Sequence, residues 1–206
     1  MENNTLLVLG CGAIGSQLVM HLAIPERKVI IGSPLVTHLV IQDRKFILVD
    51  NDTVKLENIN TSAFSFNYIG ANKVFALADM VFRKTHVRCM TYSFKLDGKD
   101  VGIDIFHGYH LVLDCFDNVK SRALSVGLSV PTLHVGVAAN RTGACEWDTQ
   151  YKLPQEDSGD NVICTHDIGR NIIRLTAAVA AGVVEEYLET GIMHNRYITN
   201  SMKILD

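Results

Sequence analysis

Short apolar runs alternate along this chain with longer amphipathic stretches. The runs at 5–10, 45–50 and 109–117 are continuous, which is typical of strands buried on both faces of a sheet. Apolar residues at helical spacing follow the first run over 13–23 and recur in "NKVFALADMVFRK" (72–84). The alternation predicts an α/β fold, in which helices flank a mostly parallel sheet.

The second half of the chain continues the pattern. "VRCMTYSFK" (87–95) alternates like a strand, and "NVKSRALSVGLSV" (118–130) predicts a helix. "TLHVGVAA" (132–139) and "GACEWDTQYKL" (143–153) predict the last core strand and an antiparallel neighbour. The segment 169–190 predicts a long helix closed by Gly191. We therefore expect a Rossmann-like, mostly parallel sheet with added antiparallel strands toward the C-terminus.

Composition indicates a globular protein and excludes some kinds of partner, but it does not indicate an activity. The 206 residues are 48% hydrophobic and 20% charged, which indicates one globular domain over 1–206. The segment 25–44 is predicted to be an irregular insert with a short strand near 28–31. A net charge of −3 argues against nucleic acid or a membrane surface as partner. The apolar run "LTAAVAAGVV" is about half a membrane span, and an acidic residue stands where a signal peptide carries positive charge. We expect a cytoplasmic protein.

The segment "GCGAIG" carries the strongest local signal. Gly10, Gly12 and Gly15 form a G-x-G-x-x-G between a predicted strand and a predicted helix, with Ala13 and Ile14 opening that helix. The first glycine suits a tight turn, the second a close approach of phosphate, and the third close packing of helix on sheet. The free N–H groups of a helix N-terminus favour an anion there. This context predicts nucleotide binding.

The identity of the nucleotide depends on the polar stretch "VDNDTVKLENINTSAF" (49–64). Asp50 ends the second predicted strand, where an acidic residue commonly binds ribose hydroxyls. Dinucleotides and ATP both fit this pairing of a glycine loop with an aspartate, so both remain open at this point.

Three segments together resemble the ThiF/MoeB/E1 superfamily, the ATP-dependent enzymes that adenylate the C-terminal glycine of ubiquitin-like proteins. They are "GCGAIGS" (10–16), "VDNDTVKLENIN" (49–60) and "LVLDCFDNVKSR" (111–122), the last similar to the family's D-x-x-D-N-x-x-x-R after the third strand. "GANKV" (70–74) resembles the G-x-x-K that opens the next helix. Their order and spacing agree over about residues 5 to 130.

The resemblance implies a set of site residues. Asp50 would hold the ribose and Asp52 would support its loop, while Asn58 and Lys73 would contact phosphates. Asp117 would bind Mg²⁺ beside the triphosphate. The remaining two positions, Asn118 and Arg122, would frame that loop. These residue types suit the chemistry, because a lysine and a divalent cation offset the repulsion between an attacking carboxylate and an α-phosphate. ATP and Mg²⁺ are the implied cofactors, and Lys73, Asp117 and Cys164 the implied catalytic residues.

The chain also departs from the family pattern. Thr61 stands where the family segment carries an arginine that binds the γ-phosphate, and the family's N-terminal arginine helix and paired C-x-x-C zinc motif have no counterpart in this sequence. Arg27, Arg44 and Arg141 are the candidates to supply the missing positive charge. ATP binding is therefore better supported than adenylation.

Five cysteines are scattered without a C-x-x-C pair, which argues against a disulfide framework or a four-cysteine zinc site. Cys164 lies just before the long helix, where the superfamily places a reactive cysteine, and His166 or Arg170 would lower its pKa. Its alternative is a half-buried thiol without chemistry. Cys11 and Cys115 are expected to pack in the core. A metal site formed by Cys145 and Cys164 with His134 or His166 is a weaker alternative.

Three hypotheses follow. The first is an adenylyltransferase that activates the C-terminal carboxylate of a ubiquitin-like or sulfur-carrier protein or peptide, with possible transfer to Cys164, as a homodimer or heterodimer. The apolar face of "IIRLTAAVAAGVV" would serve either the dimer or the core. The second is a non-catalytic ThiF-like nucleotide-binding module in a hetero-complex. The third, an NAD-dependent oxidoreductase, is weakened by Lys73 and Asp117, which have no role in hydride transfer.

Overall fold

Strand β1 (Thr5–Leu9) is the centre of the fold, and every one of its residues is buried. The structure is a computed structural model that describes residues 5–23, 44–96, 98, 106–154 and 167–206. Within them the order is β1, α1 (Ala13–Leu22), β2 (Lys45–Val49), α2 (Lys73–Thr85), β3 (Met90–Tyr92), β4 (Leu111–Asp114), α3 (Val119–Arg122), β5 (Thr132–Val137), β6 (Gly143–Trp147), α4 (Asp167–Thr190), β7 (Arg196–Ile198) and β8 (Ile204–Leu205). No helix in these residues is long and apolar enough to cross a bilayer.

The described strands form one sheet in the order β3-β2-β1-β4-β5-β6-β7-β8. Strands β3 to β5 in this order pair in parallel, and β5 to β8 pair antiparallel. This confirms the predicted fold class. Because β1 lies between β2 and β4, the chain reverses its direction of winding there, and a ligand crevice forms at the carboxyl ends of the strands beside such a point.

Alternate residues of the strands face two different cores. Leu6, Val8, Leu48 and Leu113 pack against α1, α2 and α4 in the larger core. Leu7, Leu9, Ile47 and Val112 face the opposite side of the sheet, where the segments around Phe106 and Leu124 cover them. This two-sided burial explains why the parallel strands have continuous apolar sequences.

Helix α4 belongs to the larger core. Ile172, Ala177, Ala180 and Val184 are all buried, and the helix packs on α1, β5 and β6. It ends at Gly191, whose φ of 72° is the left-handed conformation expected after a helix. The apolar face of "IIRLTAAVAAGVV" is therefore a core face, which leaves the predicted dimer without the surface considered for it.

The single tryptophan, Trp147, lies in the same core at the end of β6. Its ring centroid is 4.8 Å from that of Tyr187 on α4, and its indole Nε1 donates to the carbonyl oxygen of His194 at 3.2 Å. The ring is fully buried, and its polar atom is paired, as a buried indole requires.

Several predicted boundaries were wrong. The helix predicted over 118–130 is only the single turn α3. The chain from the end of α3 to Gly127 forms turns, and Gly127 has a φ of 76°, which a helix does not accommodate. The strand predicted over 109–117 stops at Asp114, so Asp117 lies in the loop beyond it. The strands β7 and β8 follow α4 at positions that the sequence pattern did not mark. The predicted strand near 28–31 lies outside the described residues.

Candidate functional site

The glycine loop joins β1 to α1 at the carboxyl edge of the sheet. Gly10 has a φ of 87°, and a Cβ there would lie 2.9 Å from the carbonyl oxygen of Cys115. A Cβ on Gly15 would collide with the carbonyl oxygen of Gly10. These two glycines are thus required by the turn and by the contact between α1 and the end of β4, as their spacing predicts.

Gly12 differs from its neighbours because no atom lies within 4 Å of a Cβ built on it. It is the N-cap residue of α1, and no side chain closes that end of the helix. The first N–H groups of a helix, Ala13 and Ile14 among them, have no partner within the helix. An open space over unpaired N–H groups and the positive end of the helix dipole fits an anion such as a phosphate.

Asp50 connects this loop with the next one. Its Oδ2 accepts a hydrogen bond from Cys11 N at 2.7 Å, and its Oδ1 accepts one from Asp52 N at 2.8 Å. Burial raises the pKa of this carboxyl, while the charge of Lys73 and the two backbone donors oppose the rise. A carboxylate fixed on both sides at the end of β2 suits a ligand for ribose hydroxyls, the role predicted for it.

Lys73 is held by Asp52 beside the same edge. Its Nζ lies 2.8 Å from Asp52 Oδ2, and its backbone N–H donates to the Asp52 carbonyl oxygen at 2.9 Å. The residue begins α2, and Asn72 caps the helix by accepting from Val74 N at 3.1 Å. Lys73 is 8% exposed, so its ammonium group is directed by the fold instead of moving freely in solvent.

Electrostatics keep Lys73 positively charged. Burial by itself lowers the pKa of this ammonium group, but the carboxylates of Asp50, Asp52 and Asp117 outweigh burial and raise it. Asp117 is exposed in the loop after β4, and its Oδ1 accepts from the Asn118 side chain at 3.2 Å. The charge of Lys73 and the exposed carboxylate of Asp117 on the next loop are the groups that an anionic ligand accompanied by a cation would need.

No group of three or more His, Cys, Asp or Glu side chains converges into a metal cage within the described ranges. A Mg²⁺ ion bound here would fit the usual mode of this ion, which takes one or two carboxylates and completes its shell with water and phosphate oxygens. Asp117 is the exposed carboxylate that suits such a role. Its assignment as a Mg²⁺ ligand stays a prediction.

Other predicted residues lie near the site in supporting positions. Asn118 caps α3 by accepting from Ser121 N at 2.9 Å. The amide oxygen of Asn58 accepts from Lys55 N at 2.8 Å and closes a single turn of 3-10 helix (Leu56–Asn58). These contacts place Asn58 in its loop, and its phosphate role stays a prediction. Arg122 is buried beneath the site, where its Nη2 donates to the Val135 carbonyl oxygen at 2.8 Å.

The position of the expected arginine is occupied by a buried residue. Thr61 is 2% exposed, and its carbonyl oxygen accepts a weak hydrogen bond of 3.4 Å from Gln17 on α1. Of the candidate replacements, Arg44 is turned toward α4, where it lies 3.0 Å from Glu185, and it cannot serve the phosphates. Arg141 lies in the turn between β5 and β6 with a φ of 65°, and Arg27 lies outside the described residues.

The alternative metal site that pairs Cys145 with His134 is wrong. Cys145 pairs in register with Val135, whereas His134 pairs with Glu146, so the two side chains point to opposite faces of the sheet. Cys145 Sγ faces the carbonyl oxygen of Thr176 at 3.8 Å in the larger core. Cys164 and His166, and with them the proposed nucleophile, lie outside the described residues.

One buried cluster was missed by sequence reasoning. Asp114 is fully buried at the end of β4, and its Oδ2 lies 2.8 Å from His134 Nδ1, 2.9 Å from Ser125 Oγ and 3.5 Å from Arg122 Nη1. The available signal was a charged residue closing a wholly apolar strand, because a buried carboxylate needs partners to remain in a folded protein.

Comparisons with known proteins identify the family of this chain. The ThiF family model matches residues 1–190. An adenylyltransferase and sulfurtransferase MOCS3 from Caenorhabditis briggsae is 28% identical over 155 residues, which cover 74% of this chain and 34% of that protein. The protein of the same name from Danio rerio is 29% identical over 126 residues, which cover 60% and 24%. The chain thus spans about a third or less of the length of these curated relatives.

Solved structures show the same fold. Escherichia coli MccB matches with a TM-score of 0.67 at 16% identity, covering 98% of this chain and 62% of MccB. MccB solved with ATP matches with a TM-score of 0.65 at 15% identity and the same coverage. The parallel sheet and its flanking helices define a Rossmann-like α/β class of protein. Within that class, the chain belongs to the ThiF family.

Proposed function

We propose that this chain binds Mg·ATP and transfers its adenylyl group to the C-terminal carboxylate of a small carrier protein or peptide. The observation that carries the proposal is the buried Lys73, whose ammonium group lies 2.8 Å from Asp52 Oδ2 and whose pKa is raised by the carboxylates of Asp50, Asp52 and Asp117. The open space over Gly12 at the start of α1 supports it. The names of the MOCS3 relatives as adenylyltransferases, and the crystal structure of MccB with ATP, support the same activity.

In this proposal each part of the crevice has a task. The N–H groups at the start of α1 bind phosphate oxygens over Gly12, and Asp50 binds the ribose. The ammonium of Lys73 stabilises the negative charge that builds up while the carboxylate attacks the α-phosphorus and the bond to pyrophosphate breaks. Asp117 would hold Mg²⁺, which would supply positive charge beside the leaving pyrophosphate. The carrier ends as an acyl-adenylate, in which its carboxyl oxygen is bonded to the phosphorus of AMP.

Pyrophosphate exchange tests the activity. With small proteins and peptides ending in Gly-Gly as acceptors, labelled pyrophosphate is expected to enter ATP, and Asp117→Ala is expected to reduce the rate about a hundredfold. Glu189→Gln, a change of an exposed carboxylate at the end of α4, is the control and should leave the rate unchanged. Exchange that survives in Asp117→Ala would contradict the role of this carboxylate.

A second candidate, a nucleotide-binding module without catalysis, is favoured by the burial of Thr61 where an arginine is expected. Its signature is a rise in melting temperature with Mg·ATP but no exchange with any acceptor. A rise with NAD⁺ and none with Mg·ATP would exclude both ATP-dependent functions. Assembly as a homodimer or heterodimer, which we also propose, is tested by the molar mass in solution with and without the acceptor.

The role of Cys164 is tested by selective alkylation. Burial raises the pKa of Cys89 and of Cys145 to about 12, and raises the pKa of Cys11 and of Cys115 well above the ordinary range. At pH 7.5 a thiol of pKa about 12 is ionised to an extent on the order of 10⁻⁴ or less, so these four thiols should resist iodoacetamide in the native protein. We propose Cys164 as the thiol that reacts quickly, and Cys164→Ser should remove the rapid phase. A rapid phase that persists in Cys164→Ser would contradict this assignment.

A further inference from the structure

The buried side chains below the crevice form a network that ends at the loop carrying Asp117. Both carboxylate oxygens of Asp114 accept hydrogen bonds. Oδ1 accepts one from Phe116 N at 3.1 Å, and Oδ2 accepts from the side chains of His134, Ser125 and Arg122. Phe116 directly precedes Asp117 in the chain. The orientation of the Asp114 carboxylate therefore sets where this loop leaves β4.

Arg122 fixes the other end of the same loop. It ends α3, and its guanidinium bridges Asp114 and the Val135 carbonyl oxygen on β5. A Cβ on Gly136 would lie 3.0 Å from Arg122 Nη2, so the glycine leaves the space that the guanidinium occupies. The loop 115–122 is thus anchored at both ends to one carboxylate.

His134 is the member of this network that comes from β5. Its Nδ1 lies 2.8 Å from Asp114 Oδ2, the shortest of the four contacts, and its ring stacks on Tyr151 with centroids 3.7 Å apart. A carboxylate only accepts, so Nδ1 carries the proton and donates. Among the described residues Nε2 has no hydrogen-bond partner, and the residue is 2% exposed. Within the described part of the chain, the ring is therefore buried, and its polar contact is with Asp114.

We propose that His134 is a positioning residue, which acts through Asp114 to hold the loop 115–122 and Asp117 in place for Mg·ATP. The inference extends the proposed function, but its structural part concerns the ligand-free protein. The proposal predicts that the loop 115–122 depends on the Nδ1–H donor of His134 and not on Nε2. Asparagine retains an amide N–H donor near the Nδ1 position and has nothing at Nε2, whereas leucine of similar size has no donor.

Hydrogen exchange of the ligand-free protein tests this first. Amides of the segment 115–122 should exchange about tenfold faster in His134→Leu and stay near the wild-type rate in His134→Asn. Ile172→Val, a destabilising change in the larger core, controls for general loss of stability and should not affect this segment selectively. Equal acceleration in His134→Asn and His134→Leu, or none in either, would overturn the proposal.

Catalysis supplies the second measurement. If the protein adenylates, His134→Leu should raise the Mg²⁺ concentration for half-maximal pyrophosphate exchange about tenfold, and His134→Asn should restore it. A shift common to Ile172→Val would instead indicate a merely structural effect and would also overturn the proposal. If wild-type protein shows no exchange, the adenylation proposal fails, while hydrogen exchange still decides the role of His134.

Discussion

Replacing Lys73 by alanine should reduce pyrophosphate exchange about a hundredfold or more while leaving the protein folded, because its ammonium group is the cation proposed to stabilise the reacting phosphates. Removal of the ammonium group leaves Asp50, Asp52 and Asp117 without their shared counter-charge. The loss should therefore appear in the affinity for Mg·ATP as well as in the exchange rate. Isothermal titration with Mg·ATP and the exchange assay measure the two effects separately.

Lys45→Ala is the matched control for this experiment. Lys45 is an exposed lysine at the start of β2, and parallel strands begin at the edge of the sheet opposite the crevice. The substitution removes the same charge from the whole protein as Lys73→Ala. It should change neither the affinity for Mg·ATP nor the rate of pyrophosphate exchange. Lys73→Arg separates charge from fit, because a guanidinium group does not reproduce the 2.8 Å contact of an ammonium with Asp52. Full activity in Lys73→Ala would exclude the proposed chemistry.

The second large effect is expected from the glycine loop, where two alanine substitutions should fail for different reasons. Gly12→Ala places a methyl group in open space, so the free energy of unfolding should change by less than about 1 kcal/mol. The same methyl group fills the space over α1 where phosphate is proposed to bind, so Mg·ATP should no longer raise the melting temperature.

Gly15→Ala should instead destabilise the protein by about 1–3 kcal/mol, because its methyl group meets the Gly10 carbonyl oxygen and the Cys115 side chain. Thermal unfolding of both variants, with and without Mg·ATP, distinguishes the effects. Unimpaired nucleotide binding in Gly12→Ala would show that the phosphates lie elsewhere.

The sequence predicts the parallel half of this fold well, for an identifiable reason. Strands such as β1 and β2 are buried on both faces, so their apolar runs are continuous and end where the crevice begins. The antiparallel additions were harder to place. β7 has three residues and β8 two exposed ones, and such short edge strands carry little periodic signal.

The site also has a part that the sequence predicted and a part that it did not. Local motifs correctly predicted the positions of Gly10, Gly15, Asp50 and Lys73. Each of these residues contacts the loops at the carboxyl ends of β1, β2 and β4, which the motifs themselves form. The helix predicted after Asn118 failed, since Arg122 and Ser125 turn inward to Asp114 and Gly127 stops the helix. That outcome depends on contacts of Arg122 and Ser125 with the buried carboxylate at the end of β4, which no helical periodicity contains.

The burial of Trp147 also determines how these variants can be observed. As the only indole in the chain, set against Tyr187 on the far side of the sheet from His134, it is a single fluorescent reporter inside the larger core. Its emission should shift to longer wavelength when α4 separates from β6. A nucleotide entering the crevice should leave the spectrum nearly unchanged, so fluorescence distinguishes an unfolded variant from a folded one that has lost its ligand.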